Sequence, residues 1–131
     1  MPITADTSAI PAVLLGEPQR EKIISLTTDA EVLAPASLDW EVGNPLSALV
    51  KRRKLSDAEA RRFMRAYDLM RIDLVEVDLE DSLRIAIDHE MYAYDAYVIE
   101  CAIETNTPLI TLDKRMAQIA VRMGIPISFA G

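Results

Sequence analysis

One cysteine, one histidine and four glycines are the scarcities of this 131-residue chain, and aromatic residues make up only 5% of it. A lone cysteine, Cys101, rules out an internal disulfide and fits a reducing compartment such as the cytoplasm. With so few Cys and His residues there is no zinc-type cluster to consider. No stretch approaches the roughly 20 apolar residues of a membrane span, and the N-terminus has neither the basic start nor the apolar core of a signal peptide. A soluble, cytoplasmic protein without membrane association is expected. Positive charge is short as well: the formal net charge of −7 argues against a bulk electrostatic nucleic-acid binder. It leaves room for a nucleic-acid enzyme with a local acidic metal site. What remains is an ordinary packed composition, half hydrophobic and mainly aliphatic, of the commonest size for one domain. A single domain over residues 1–131 is expected.

Short apolar runs alternate with longer segments of helical period, the pattern of βαβ units around a parallel sheet, so the fold class is α/β. The candidate strands are Ile3 to Ala5, Val32 to Ala34, Ile72 to Val77, Leu109 to Thr111 and Ile125 to Ile127. Each shows little alternation, as in strands covered on both faces. Helices fill the gaps. One runs from Ser8 to Leu15, interrupted near Pro11; a second starts at Pro18; a third spans Ser37 to Arg53. "SDAE", Ser56 to Glu59, is a capping box opening a helix that ends near Met70. Leu79 to His89, Ala93 to Thr105 and Asp113 to Met123 complete the set, the last closed by Gly124 as a left-handed cap.

Twenty-one acidic residues cannot all be functional, so the informative ones sit where an apolar residue is expected. In "YAYDAYVIECAIE", Glu100 and Glu104 lie about 140° and 180° around the helix from Asp95, whereas Val98, Ile99 and Ala102 lie within about 60° of it. Asp95 therefore faces inward, and Glu100 and Glu104 belong to the solvent face. The plainer reading of Asp95 is a helix-start residue that favours the dipole. Glu41 shares a stripe with Leu38, Pro45, Ala48 and Leu49, against the plainer reading of an exposed rim glutamate. Pro45 denies the Glu41 carbonyl its usual hydrogen bond, so a kink is expected there. Asp6 and Asp113 each follow a strand and precede a helix. That is where open α/β sheets bind ligands, and also where an N-cap belongs. Taken together, Asp6, Glu41, Asp95 and Asp113 would repel one another unless protonated or bound to a cation. All-oxygen ligands select hard cations, Mg²⁺ or Mn²⁺.

These residues and their surroundings resemble the PIN-domain nucleases, most closely the VapC-like toxins of type II toxin–antitoxin systems. The pieces are "ITADTSAI", "LDWEVGNPLSALVKRRKLSDAEA" and "YDAYVIECAIETNTPLITLDKRM", in order and at the family's separations, so that the resemblance covers the whole chain. It implies a three-layer α/β/α fold with a central, mostly parallel sheet of about five short strands. It also implies a metal-dependent endoribonuclease, a homodimer, and a VapB-like antitoxin whose tail blocks the acidic pocket. By the same resemblance the four acids hold one or two Mg²⁺ or Mn²⁺ ions. Asp6 and Asp95 would be the most direct ligands, Glu41 and Asp113 would complete the site, and Thr111 would steady the carboxylates from behind. Thr7 and Ser8 are read as helix-start residues. The chain departs from the family at Pro45, where an ordinary helix former is expected, and at Tyr97 and Val98, where relatives carry larger aliphatics.

Metal-dependent hydrolysis needs no side-chain nucleophile, and none is convincing here. Cys101 lacks a paired histidine and reads as a small packed hydrophobe. His89 ends a helix, where a cation suits the dipole. RNA must still be attracted by an acidic protein. Lys114 and Arg115 flank Asp113 and are the candidate RNA contacts, whereas "KRRK", Lys51 to Lys54, reads first as a solvated helix end and second as a phosphate contact. Arg61, Arg62 and Arg65 form part of a polar helix face. A receiver or haloacid-dehalogenase domain also places acids at a sheet edge, but "DTS" lacks the dehalogenase's second aspartate, and a receiver's acidic pair and later lysine are missing. A DNA-directed nuclease and a non-catalytic PIN-like protein- or RNA-binding module are the remaining alternatives.

Overall fold

In a computed structural model, which describes residues 1–130, five strands form one parallel sheet in the order β3-β2-β1-β4-β5. The strands are β1 (Pro2–Ala5), β2 (Glu31–Pro35), β3 (Ile72–Val75), β4 (Leu109–Thr111) and β5 (Ile127–Ala130). The helices are α1 (Ala9–Leu14), α2 (Arg20–Thr27), α3 (Leu38–Glu41), α4 (Gly43–Lys51), α5 (Asp57–Leu69), α6 (Leu79–Asp88), α7 (Ala93–Thr105) and α8 (Lys114–Arg122). The chain builds outward from β1 through β2 to β3, then returns to the other side of β1 for β4 and β5. Right-handed crossovers in opposite directions put helices on opposite faces, which gives the expected three layers. On one face Ile3 and Ile110 pack with α1 and α2, and Ala5 and Ala34 with α3 and α5. On the other, Leu109 packs with α6, α7 and α8.

Several local expectations shift. The last strand begins at Ile127, not Ile125: Gly124 turns the chain at φ +80° and Ile125 is spent filling the core beneath α8. Pro11 does not interrupt α1. It is the third helical residue, and a first-turn amide has no intrahelical acceptor to lose. The segment from Ser37 to Arg53 does divide, at Val42, between α3 and α4. Proline at position 45 removes the donor for the Glu41 carbonyl and crowds it, so the first helix stops at Glu41. The "SDAE" capping box forms, with Ser56 Oγ accepting from Glu59 N at 3.1 Å and Glu59 Oε1 from Ser56 N at 3.0 Å.

Glu100 is the clear failure of the wheel. Placed on the solvent face by its angle from Asp95, it is 4% exposed. One apolar stripe does not describe α7, which packs against β1, β2 and α6 together. Glu100 Oε2 is buried without a hydrogen-bond partner among the described residues. Burial, then the charges of Glu104, Asp81 and Asp78 and a hydrogen bond with Glu104, push its carboxyl up to about 7. Glu104 in turn accepts from the Asp78 amide at 2.9 Å, so the acids meet where the start of α6 leans on α7. A carboxyl with a folded pKa above its unfolded value holds a proton that the unfolded chain has released. Its stabilising contribution is complete below the ordinary 4.5, falls as pH rises toward 7, and is lost above that. Replacing Glu100 with Gln is therefore expected to stabilise the protein by about 2 kcal/mol near pH 8 and by little near pH 5. Urea unfolding of both proteins at the two pH values measures this; equal stability at the higher pH contradicts the burial of a charged Glu100.

Candidate functional site

The sheet's switch point lies between β1 and β4, the two strands from which the chain departs in opposite directions. Crevices at the carboxyl ends of such strands are where open α/β folds bind ligands. Asp6 leaves β1 there, its amide donating to Ile110 O at 2.8 Å. The parallel register of Ala5 with Ile110 brings the next residues level, so Asp6 stands beside Thr111. Asp6 is 4% exposed, and its Oδ2 accepts from Ser8 Oγ at 2.7 Å and from Thr111 Oγ1 at 2.8 Å. Each hydroxyl is itself oriented. Ser8 Oγ accepts from Leu112 N and Thr111 Oγ1 accepts from Asp113 N, both at 3.0 Å. With their lone pairs engaged by amides of the β4–α8 turn, both hydroxyls present their protons to Asp6.

Asp113 ends that turn as the N-cap of α8. Its Oδ1 accepts from Arg115 N at 2.9 Å and Met116 N at 3.1 Å. Its side chain is exposed, and its other oxygen takes no hydrogen bond among the described residues. Cap and site acid are thus compatible roles for this residue, whereas Asp6 is no cap: Ser8 holds the N-cap position of α1. Asp95 is the third residue of α7, half-buried, after the N-cap Tyr92. Glu41 ends α3, half-buried. Its Oε1 receives the Thr7 hydroxyl at 3.4 Å, and its Oε2 is buried with no partner among the described residues. Ser37 Oγ lies close enough to favour the Glu41 anion but completes no hydrogen bond, and is likewise buried and unpaired.

The four acids form one electrostatic group. Burial raises the Asp6 carboxyl; the Ser8 and Thr111 hydroxyls and the Thr7 amide pull it down, and Asp113 pushes it up. Burial raises Glu41, the hydroxyls of Ser37 and Thr7 lower it, and Asp6 and Asp95 raise it further. Burial raises Asp95, and Asp6 and Asp113 add to the rise against Arg115. Among the described residues none of the four is in a salt bridge. Nor do three acid, histidine or cysteine side chains there close around one point as ready-made metal ligands.

Arg115 is committed elsewhere. Its guanidinium donates to the carbonyls of His89 and Glu90, at 3.1 and 2.9 Å, across the left-handed turn between α6 and α7. It ties the start of α8 to the loop leading into the Asp95 helix. Lys114 is exposed and makes no hydrogen bond or ion pair among the described residues. Lys51 to Lys54 are exposed where α4 ends, Arg53 in a left-handed turn, and Arg61 is paired with Asp57 at 2.8 Å. Ser8 and Thr7 are more than the helix-start residues they resemble in sequence. The signal for them was their place directly after a strand-end aspartate, where a hydroxyl can fold back onto a carboxylate. Replacing Thr111 with Val removes a donor to Asp6 and an acceptor for Asp113 N while conserving shape, and is expected to cost about 1–3 kcal/mol. A change below a few tenths in chemical denaturation would contradict the relay.

A sequence model of the family described as "PIN domain" matches residues 3–122. Ribonuclease VapC3 of Pyrobaculum aerophilum is 26% identical over 123 residues, covering 90% of this chain and 94% of that protein. Two solved structures share the fold. The crystal structure of VapBC2 from Rickettsia felis, bound to a DNA fragment from its promoter, aligns at a TM-score of 0.70 and 12% identity over 98% of each chain. A toxin–antitoxin complex from Klebsiella pneumoniae aligns at 0.61 and 15% identity, covering 88% of this chain and 90% of that one.

Proposed function

The chain belongs to the PIN domain family, and from that premise we propose that it is a divalent-metal-dependent endoribonuclease, the toxin of a type II toxin–antitoxin pair. Support for the activity comes from the ribonuclease relative aligned over nearly its whole length. Support for the toxin role comes from the folds shared with VapBC2 and with the Klebsiella complex. The observation that carries the reading is the meeting of Asp6, Glu41, Asp95 and Asp113 at the switch point. Three of the carboxyls are raised, first by burial and then by other acids of the group, and Glu41 keeps a buried, unpaired oxygen.

An all-carboxylate set with an orphaned buried acceptor fits Mg²⁺ or Mn²⁺ and not zinc. Asp6 and Asp95 are the direct holders in this reading, with Glu41 and Asp113 completing the set. When bound, such a cation supplies an activated water and neutralises charge on the phosphorus oxygens. The chain's part is preorganisation. Ser8 and Thr111 fix the Asp6 carboxylate in one orientation, so that little order is lost when substrate arrives. Lys114, beside Asp113, offers its ammonium to the phosphate backbone, and Arg115 helps by holding the loop before α7. No side chain serves as nucleophile: Cys101 is fully buried and burial pushes its thiol up to about 11. RNA as substrate, a VapB-like antitoxin and a homodimeric state complete the proposal.

One observation bears on a second reading, a non-catalytic binding module: among the described residues no three acidic side chains lie together as a ready-made metal site. Cleavage assays separate the two. Wild-type protein is expected to cut RNA with Mg²⁺ or Mn²⁺ and not with chelator, and Asp95→Asn to lower kcat roughly a hundredfold or more. Absence of wild-type cleavage across several structured RNAs would leave the binding module, and cleavage confined to single-stranded DNA would redirect the reading to a DNA nuclease. In cells, expression alone should arrest growth and Asp6→Ala should relieve the arrest.

A further inference from the structure

Trp40 is the chain's one tryptophan, and it is 82% exposed. An indole left in water forgoes roughly 2–3 kcal/mol of burial. Here the residues on either side of it anchor the backbone. Leu38 is fully buried; Asp39 accepts from Tyr67 Oη at 2.7 Å; Glu41 receives the Thr7 hydroxyl. The same arrangement recurs at α7. Tyr94, directly before Asp95, is 57% exposed and braced edge-on by Tyr97, with ring centroids 6.0 Å apart and planes at 84°. Tyr92, the N-cap of that helix, is 84% exposed. The remaining aromatics, Phe63, Tyr67, Tyr97 and Phe129, are buried or half-buried. Every ring that the fold leaves exposed therefore lies within three residues of Glu41 or Asp95. The exposed stripe on α6, by contrast, is aliphatic: Leu79, Leu83 and Ile87.

We propose that Trp40 and Tyr94 are a stacking platform for unpaired nucleobases of the strand that enters the four-acid crevice. The proposal rests on the ribonuclease reading and names what that site grips besides phosphate. A chain of net charge −7 draws little affinity from the phosphate backbone, whereas base–aromatic stacking contributes about 1–3 kcal/mol per base and works without positive charge. Stacking needs an open base face, so the ligand is a single-stranded or looped segment and not a continuous duplex. Solvent-facing rings on an anchored backbone, with Tyr94 also braced by Tyr97, suit this role because little ordering is needed on binding.

Because Trp40 is the only tryptophan, its fluorescence reports on the platform alone. The probe is a short single-stranded 2′-O-methyl oligouridylate with a methylphosphonate backbone, which is uncharged, does not repel the acids and has no free 2′-hydroxyl to cleave it. It is expected to quench Trp40, while an abasic oligomer and a duplex of the same length do not. Anisotropy of the labelled oligomer should show affinity falling about tenfold in Trp40→Ala and in Tyr94→Ala, with Trp40→Phe retaining most of it. Equal quenching by the abasic oligomer, or unchanged affinity in both alanine variants, overturns the platform. So does a Trp40 signal that changes with protein concentration alone, which would place the ring between two copies of the chain. The two readings fail separately. RNA cleaved with the same kcat/KM by wild type and Trp40→Ala, without quenching, removes the platform and leaves the nuclease. Base-dependent quenching in a wild type that cleaves no RNA keeps the platform and removes the nuclease.

Discussion

The burial of carboxylates beside one another is the constraint on which this site depends. Asp6 is almost wholly buried, Glu41 and Asp95 half so, and each has its proton affinity raised by at least one other acid of the group. Nothing in the chain neutralises them by a direct ion pair among the described residues. Hydroxyls and amides are used in place of cationic side chains: Ser8 and Thr111 on Asp6, Thr7 on Glu41, two α8 amides on Asp113. Such donors hold a carboxylate in place without cancelling its charge. A site stabilised in this way keeps its negative potential available, which an arginine or lysine in the same position would remove.

The sheet makes that arrangement possible at small cost in chain length. Parallel register places the residue after β1 level with the last residue of β4, so one threonine bridges an acid on one strand to the amide of an acid beyond the next. Asp95 and Glu41 arrive from helices, one near the start of α7 and the other at the end of the short α3. Pro45 has its purpose in this geometry. By stopping α3 at Glu41 it leaves the glutamate at a helix end, where its carboxylate reaches the Thr7 hydroxyl. Arg115 performs the corresponding service for Asp95 by tying down the loop that precedes its helix.

Much of this was legible in the residues. Short apolar strands without alternation marked β1, β2 and β4, which are largely covered on both faces, whereas the edge strands β3 and β5 keep exposed residues; the "SDAE" box marked the start of α5, and "LIT" matched β4 to the residue. The places of Asp6 and Asp113 just after β1 and β4 were legible because strand ends are readable. What stayed hidden depended on more than one neighbour. Glu100 was misplaced because a helical wheel assumes one wet face, and α7 has neighbours on several sides. Ser8 and Thr111 orient their protons through amides of a turn about a hundred residues distant in sequence from Asp6, a relation that only the sheet register creates. Ile125 looked like a strand residue because it is apolar and short of a helix signal, yet the core beneath α8 claimed it.

The most direct measurement of the central claim is the response of thermal stability to a divalent cation. A ligand that binds only the folded protein raises its midpoint in proportion to its occupancy. If the four acids strain against one another until a cation joins them, moving from chelator to millimolar Mg²⁺ or Mn²⁺ should raise the wild-type midpoint by several degrees, and Asp95→Asn should keep half of that gain or less. An equal gain in both proteins, or none in the wild type, would mean that the acids are not gathered to hold a metal ion.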